Sequence, residues 1–146
     1  MINLSELQSD ALVEIFNIGA GQAAASLSEI VGDEVKLSVP RVAFYARESI
    51  TTSVLDLRGD RLGSVRQTFS GPFRIDAALL FTEDNALEIV REMIGSQVSV
   101  DDLVDFEQEA MCELGNIILN ACMASIGDLL EINMDSTLPH YLVDVS

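Results

Sequence analysis

The feature that most constrains the fold of this chain is an internal repeat at an offset of 99 residues. The segment DALVEIFN at 10–17 returns as EAMCELGN at 109–116. An ungapped alignment at this offset contains identities that reach from these segments to a proline, in which Glu14, Asn17, Ile18, Ala25, Ser26 and Pro40 match Glu113, Asn116, Ile117, Ala124, Ser125 and Pro139. Matches over so long a stretch predict a duplicated unit, a helix followed by a strand.

The repeat also predicts the organisation of the chain. We expect residues 1–146 to form one domain, with repeat one at 1–95 and a truncated repeat two at 100–146. Only seven residues follow Pro139, whereas strands and a further helix are expected to follow Pro40. The second repeat is therefore expected to be incomplete, and its unpaired sheet edge predicts a homodimer or a swapped assembly.

Two long helices are expected, one in each repeat. Ser5 and Gln8 have the spacing of a capping box and Gly32 is a typical helix end, which together bound a first helix. Its small-residue middle, GAGQAAAS, would let another helix approach closely, since Gly in mid-helix is otherwise unfavourable. The second long helix is expected to begin at Asp101 or Asp102.

Strands are expected between and after these helices. The alternating segment EVKLSVPRVAFYA at 34–46 predicts a strand, and 47–60 is open between a strand and a short helix. RLGSVRQTFS and PFRIDAALLF predict an antiparallel hairpin with its turn at 70–72, followed by a helix from Thr82 to Gly95. The end of the chain, from 131 onward, is expected to be extended. The fold class is thus α/β (α+β), with two long helices packed on a mainly antiparallel sheet.

The charge of the chain limits its partners. A net charge of −16 disfavours nucleic acid, whose phosphates would be repelled. All eight Lys and Arg lie between Lys36 and Arg91, so both copies of the repeated segment are purely acidic. Such acidity is typical of a solvated surface, and a docking face for a basic partner would carry it as well.

Other classes are disfavoured by what the sequence lacks. It has no run of about 18 uninterrupted apolar residues, so we expect no membrane insertion, and its N-terminus predicts a cytoplasmic protein. Cys112 and Cys122 lie too far apart on one predicted helix to bridge each other, so we expect free thiols. His140 is the only histidine and no metal-ligand spacing occurs, so no metal site is expected.

Each repeated segment carries a polar stripe. At 100° per residue, Asp10, Glu14 and Asn17 lie within about 60° of one another on a helix, and positions 109, 113 and 116 do the same. One interpretation is an ordinary solvent-facing stripe. In the other, the Glu attracts a cation and the Asn amide, with one acceptor and two donors, orients a water molecule. Such a pair could assist hydrolysis of an activated phosphoryl group, where positioning carries most of the catalysis.

The full pattern resembles that of one protein family. A carboxylate, a Glu and an Asn with the spacing x3 and x2 are followed after 22 residues by Pro, as Asp10, Glu14, Asn17 and Pro40 and again as Glu109, Glu113, Asn116 and Pro139. With the stretches NIGAG, TFSGPF and LLFTED, the pattern is similar to that of the CheC/CheX/FliY family of phosphatases, which act on the phosphorylated chemotaxis response regulator CheY. Two motifs rather than one are more similar to CheC than to CheX, and they imply a pseudo-symmetric CheC-like fold.

The resemblance implies a catalytic role for four residues. Glu14 and Glu113 would pair with the active-site Lys of the response regulator. Asn17 and Asn116 would orient the water that attacks the aspartyl phosphate. The metal would be the Mg²⁺ held by the response regulator, so the chain is expected to need no cofactor of its own.

The same resemblance implies supporting roles for the rest of the motif. Asp10 and Glu109 would support the helix or contact the partner, and Pro40 and Pro139 would shape the strand behind each helix. Because Glu109 replaces the Asp or Ser usual at its position, the first site, with Asn17, is expected to be the stronger. CheD is a further candidate partner.

Two alternatives stay open. A non-catalytic adaptor that binds a response regulator, or a flagellar-switch-like module, would use the same acidic helices without the chemistry, although relatives of that kind tend to lack the Glu–Asn pair. The receiver itself could belong to a system other than chemotaxis. A hydrolase with its own nucleophile is disfavoured, because no suitable nucleophile or His repeats beside the stripe.

Overall fold

The computed structural model of the chain describes residues 3–39, 42–49, 61–94 and 100–145. These ranges contain three helices, four strands and one 3₁₀ turn. In chain order they are α1 (Glu6–Val31), the 3₁₀ turn (Arg47–Ser49), β1 (Arg61–Ser70), β2 (Arg74–Thr82), α2 (Glu83–Ile94), α3 (Val100–Leu130), β3 (Asp135–Ser136) and β4 (His140–Val145). Long helices combined with an antiparallel sheet make this an α+β fold, as the sequence predicted.

The long helices begin and end close to their sequence signals. Ser5 and Gln8 form the capping box: Gln8 N donates to Ser5 Oγ (3.1 Å) and Ser5 N donates to Gln8 Oε1 (3.0 Å). Gly32 ends α1 with a φ of 76°, a left-handed conformation that favours Gly because it has no Cβ. α3 begins at Val100, one residue before the first aspartate expected to open it.

β1 is the central strand of the sheet. β2 pairs with it in antiparallel register, from Leu62 opposite Thr82 to Ser70 opposite Arg74, around a turn at 71–73. This pairing confirms the predicted hairpin. β4 and β3 follow one another along the other edge of β1, so the end of the second repeat pairs with a strand of the first.

Glycines let the long helices and the sheet approach closely. A Cβ on Gly19 of α1 would lie 2.8 Å from the Cα of Cys122 on α3, so the crossing of the two helices requires Gly. A Cβ on Gly115 of α3 would overlap the side chain of Val65 on β1. The close helix approach expected from the small residues of α1 is thereby confirmed. Around these contacts lies an apolar core: Leu27, Val65, Phe81, Val90, Met111 and Leu114.

The strand predicted at 34–46 is the main correction. Apart from one bridging residue, the described part of this segment forms no strand. Side chains of α1 take the backbone groups that a ladder would need: Val35 N donates to Ser28 Oγ (2.9 Å) and Val39 N donates to Asn17 Oδ1 (2.6 Å). Because an N–H bonded to a helix side chain is not free for a sheet partner, the segment runs beside α1 instead.

Some predicted features lie outside the described residues. They are Pro40, the predicted helix end at Gly95, and most of the stretch left open between strand and helix. Of that stretch, Arg47–Ser49 is described and forms the 3₁₀ turn. The helix predicted after Thr82 is α2.

α3 is the longest element in the described ranges. By length and composition its part Phe106–Leu130 is also apolar enough to cross a membrane, a criterion that the core helix of a soluble protein meets as well. In this structure α3 packs against α1 through Gly19 and against β1 through Val65. It therefore connects the first repeat's helix with the first repeat's central strand.

Candidate functional site

The first Glu–Asn pair lies on the exposed side of α1. Asp10 and Glu14 are exposed, and Asn17 is half-buried one turn further along. Residues three and four apart on a helix share one face, so the three side chains form the stripe that their spacing predicted. The structure thus brings these three candidate residues together.

Asn17 is held by the backbone that follows α1. Its Nδ2 donates to Val39 O (3.0 Å), and its Oδ1 accepts from Val39 N (2.6 Å). The side-chain amide replaces the strand partner that Val39 would otherwise need. Val39 directly precedes Pro40 in the sequence, so this contact joins Asn17 to the residue before the motif proline. One N–H and one oxygen lone pair of Asn17 remain without a partner in the described part of the chain.

The second pair has the same exposure on α3 but a different environment. Glu109 and Glu113 are exposed, and Asn116 is half-buried. Asn116 Oδ1 accepts from two side-chain amides, Gln67 Nε2 (2.9 Å) and Asn120 Nδ2 (2.6 Å). Both lone pairs of this oxygen are therefore used, whereas the Nδ2 of Asn116 has no hydrogen-bond partner among the described residues.

Gln67 is a buried polar residue at an inward-facing position of β1. Only 3% of it is exposed, and its neighbours on this face of the strand, Val65 and Phe69, are buried apolar residues. Its Nε2 donates to Thr137 O (3.0 Å) as well as to Asn116, but its buried Oε1 has no partner among the described residues. An unpaired buried oxygen costs roughly 1–3 kcal/mol of stability. Core packing alone does not account for a glutamine here.

The motif proline of the second repeat lies close to a thiol. Pro139 is half-buried directly before β4, and its carbonyl oxygen is 3.8 Å from the Sγ of Cys112. Burial raises the pKa of the Cys112 thiol, and a backbone hydrogen bond at Tyr141 opposes that rise. Burial also raises the pKa of Cys122. Both cysteines are free, as the sequence predicted. Because a raised pKa lowers the fraction of reactive thiolate, neither thiol is an activated nucleophile.

Two basic side chains lie on the outer face of the sheet. Arg66 on β1 and His140 on β4 are directly opposite each other on the outer face of the sheet. On the same face the pKa of Asp76 is lowered, mainly by its hydrogen bond with Thr68 and then by Arg74. α1 and α3 carry carboxylates and no Lys or Arg, so a cationic group on a partner would meet no competing cation from the residues of these two helices.

Metal binding by the site itself has no support in the described ranges. Within them, no group of three or more His, Cys, Asp or Glu is placed to hold an ion. The side chains of the two pairs themselves offer the chemistry of carboxylates and amides: charge attraction, and orientation of water or of a phosphoryl oxygen.

Three parts of the site were not anticipated from the sequence: the backbone of Val39 and the side chains of Gln67 and Asn120. The two side chains could have been found from their residue type or their spacing. Gln67 is a polar residue at an inward position of an otherwise apolar strand face. Asn120 follows Asn116 by four residues, the spacing of helix neighbours. The Val39 contact had only the position next to Pro40 as a signal.

Known proteins are similar in sequence to the motif region and to most of the chain. The profile of the CheC-like family matches residues 7–43, which contain the first Glu–Asn pair. Over 156 residues the chain is 26% identical to the CheY-P phosphatase CheC of Bacillus subtilis (strain 168), and the match covers 97% of this chain and 69% of that protein. Over 147 residues it is 25% identical to the flagellar motor switch phosphatase FliY of the same organism, and that match covers 99% of this chain and 38% of the relative.

Two solved structures have the same fold. FliY from Thermotoga maritima superposes with a TM-score of 0.78 at 23% identity, covering 98% of this chain and 71% of that one. The chemotaxis protein CheX from Desulfovibrio desulfuricans superposes with a TM-score of 0.62 at 17% identity, covering 90% of this chain and 79% of that one. At these sequence identities the two structures support the fold alone, which is a mixed arrangement of helices and antiparallel strands. Taken with the family profile at residues 7–43 and the two relatives matched over nearly the whole chain, they make this chain similar to the CheC/CheX/FliY family in sequence and in fold.

Proposed function

We propose that the chain is a phosphatase that hydrolyses the aspartyl phosphate of a CheY-type response regulator and so ends or adapts a chemotaxis signal. The observation that carries the proposal is the repeated pair: an exposed Glu with a half-buried, hydrogen-bonded Asn one turn later, on each of two acidic helices. Two relatives named as phosphatases, at 26% and 25% identity, support it.

In this mechanism the glutamates bind the receiver, and the asparagines position the attacking water. Glu14 and Glu113 are exposed carboxylates on helices without any Lys or Arg, which suits an ion pair with the active-site Lys of a receiver domain. Asn17 and Asn116 would reach the phosphoryl group and hold the attacking water in line. The Mg²⁺ belongs to the phosphorylated receiver and arrives with the substrate. Phosphoryl transfer depends mainly on positioning and charge placement, which a Glu and an amide can supply.

The two amides offer different hydrogen bonds to that water. Among the described residues, Asn17 has one free N–H and one free lone pair, so it can donate a hydrogen bond to one group and accept one from the water. Within the same residues, Asn116 has both N–H groups free and no free lone pair on Oδ1, so it can only donate. This difference agrees with the greater weight that the family resemblance gives to the first site.

A dephosphorylation assay tests the proposal. A CheY-type receiver is loaded with a small phosphodonor and Mg²⁺, and phosphoryl loss is followed with the wild type, with Asn17→Ala/Asn116→Ala, and with Asn133→Ala. Asn133 is exposed and lies outside both motifs, so its variant should match the wild type. The double variant should leave the receiver at its own rate of decay. Equal acceleration by the double variant and the wild type would rule the mechanism out.

One observation favours a second candidate, a non-catalytic response-regulator adaptor or flagellar-switch-like module. The amide of Asn17 is bound at both ends by Val39, which limits its freedom to follow a reacting water. An adaptor would bind the phosphorylated receiver and leave the lifetime of its phosphoryl group unchanged. The same assay, combined with a binding measurement, separates the two functions.

The proposal includes an assembly and a location. The outer edges of β2 and β4 have no strand partner in the described part of the sheet, which supports a homodimer or a swapped assembly. Light scattering should then give twice the mass of the chain, and the mass of a monomer would contradict it. A cytoplasmic location, binding of CheD, and the division of one domain into repeats 1–95 and 100–146 belong to the same proposal.

A further inference from the structure

We propose that Gln67 is a positioning residue for the second site: it fixes the side-chain amide of Asn116 with its oxygen inward and its N–H groups outward. The inference rests on the proposed function for its catalytic consequence. Its structural part stands on hydrogen bonds that join β1, α3 and the segment before β4.

The carbonyl oxygen of Thr137 determines the orientation of the Gln67 side chain. A backbone carbonyl can only accept, so the group of Gln67 that faces Thr137 O at 3.0 Å must be Nε2. The second hydrogen of the same Nε2 then points to Asn116, 2.9 Å away. An Asn that receives this hydrogen has to present its oxygen. The carbonyl of Thr137 therefore determines, through Gln67, which way the Asn116 amide faces.

Asn120 imposes the same orientation from the other side. Its Nδ2 donates to the backbone carbonyl of Asn116 at 2.6 Å, which fixes this group as the donor. The same Nδ2 lies 2.6 Å from Asn116 Oδ1. Rotating the Asn116 amide by half a turn would place its N–H groups against two donors. Two anchors that each end on a backbone carbonyl thus hold one orientation.

The burial of Gln67 indicates a role beyond packing. The residue is 3% exposed between buried apolar neighbours, and its Oε1 is buried without a partner in the described part of the chain. An apolar side chain of similar volume would fill the same space without an unpaired oxygen. What such a side chain would lack is the pair of N–H groups that Gln67 gives to Thr137 and Asn116.

The first site contains a natural comparison. Within the described ranges, Asn17 is held only by the backbone of Val39, and the position equivalent to Asn120 is the exposed Gly21. Removing Gln67 should therefore affect the second site selectively. A merely structural glutamine would affect both sites, because they share one core through α1, α3 and β1.

The experiment introduces Gln67→Met into two backgrounds, Asn17→Ala, which leaves the second site, and Asn116→Ala, which leaves the first. In the Asn17→Ala background kcat for receiver dephosphorylation should fall about tenfold, as expected for a displaced catalytic group, with KM unchanged. In the Asn116→Ala background kcat should stay within about twofold of its value without Gln67→Met. Equal falls in both backgrounds, or a change in KM with kcat preserved, would overturn the positioning role.

Ser125→Ala is the matched control. Ser125 is a buried polar residue of α3, the helix that carries Asn116. Its Oγ donates to Ala121 O (3.1 Å) and not to the Asn116 amide. It should leave the ratio of the two site activities unchanged. A shift of that ratio as large as that of Gln67→Met would mean that any lost polar contact on α3 has this effect, which contradicts the proposal.

A second readout does not depend on turnover. Side-chain amide protons of the assigned wild-type protein are followed by NMR during solvent exchange. Those of Gln67 should exchange slowly and those of Asn116 quickly, and Gln67→Met should change the Asn116 signals. The reverse protection pattern would overturn the proposal. If the wild type shows no phosphatase activity but the expected pattern is seen, the proposed function fails while the anchoring of Asn116 stands.

Discussion

The two Glu–Asn sites of this chain share a motif and differ in how their asparagine is held. In the part of the chain that the structure describes, Asn17 is bound by the backbone of a single residue, Val39, which directly precedes the motif proline in the sequence. Asn116 is bound by two side chains, one from β1 and one from its own helix. A duplicated sequence pattern therefore specifies the position of the amide on each helix, but not which of its hydrogen-bonding groups remain free.

The difference has a chemical consequence. With respect to the residues that the structure describes, the first amide keeps one donor and one acceptor, whereas the second keeps two donors. If both sites act on the same phosphorylated receiver, they would contact the attacking water in different ways. The exposed glutamates, in contrast, are equivalent, so binding should be shared between the sites more evenly than catalysis.

The largest effect is expected from charge reversal of the binding residues. Glu14→Lys/Glu113→Lys should weaken binding of the phosphorylated receiver about 100-fold, because each new Lys would face the receiver's own Lys. The matched control is Glu29→Lys/Asp128→Lys, which makes the same charge change at exposed positions of the same helices. Isothermal titration measures both. Equal weakening by the control would show that binding follows total charge and not the two pairs.

The helix crossing that joins the sites gives the next effect. Gly19→Ala should lower the free energy of unfolding by roughly 1–3 kcal/mol, since the new Cβ would meet the backbone of α3. Gly21→Ala has open space and should raise it by about 0.5–1 kcal/mol. Urea denaturation compares the two variants. Equal stability of the two would mean that the helices do not cross at Gly19.

Substitution of each asparagine by aspartate tests the hydrogen bonds themselves. Asn17→Asp removes the donor to Val39 O and should lower stability by about 1 kcal/mol. Asn116→Asp keeps an acceptor for Gln67 and Asn120, so its stability should stay within about 0.5 kcal/mol of the wild type. Thermal unfolding of both variants measures the contrast. A lower stability of Asn116→Asp than of Asn17→Asp would contradict the two hydrogen-bond environments.

The smallest effect concerns the two thiols. Burial raises the pKa of Cys112 and of Cys122, so at pH 8 the folded protein holds less reactive thiolate than its unfolded chain. Alkylation by iodoacetamide should be roughly several-fold slower in the folded protein, with Cys112 less affected because a hydrogen bond at Tyr141 opposes the shift. Mass spectrometry assigns each site, and urea-unfolded protein is the control. Equal rates before and after unfolding would contradict the burial of these groups.

Local signals in the sequence predicted most of the fold. The capping box at Ser5, the helix end at Gly32 and the hairpin around 71–73 depend on residues close together in the chain. The strand prediction for 34–39 was wrong because this segment depends on contacts with residues further away in the chain. Its alternation is that of a strand, but its N–H groups are taken by Ser28 and Asn17, a competition that only the tertiary structure reveals.

In the candidate site, too, local features were predictable from the sequence and contacts between distant segments were not. The stripes of Glu and Asn followed from helical spacing alone. The environment of Asn116 did not, because Gln67 reaches it only through the packing of α3 on β1, where Gly115 meets Val65. A polar residue among the inward positions of a strand is the signal that would have pointed to it.

The most direct test of the account compares Asn17→Ala and Asn116→Ala as single variants with the wild type, by the rate at which each accelerates phosphoryl loss from a CheY-type receiver. Both single variants should keep part of the acceleration, with Asn116→Ala the more active, because the first site offers the water both a donor and an acceptor. Acceleration equal to that of the wild type in both single variants and in the double variant would contradict a catalytic role for these asparagines.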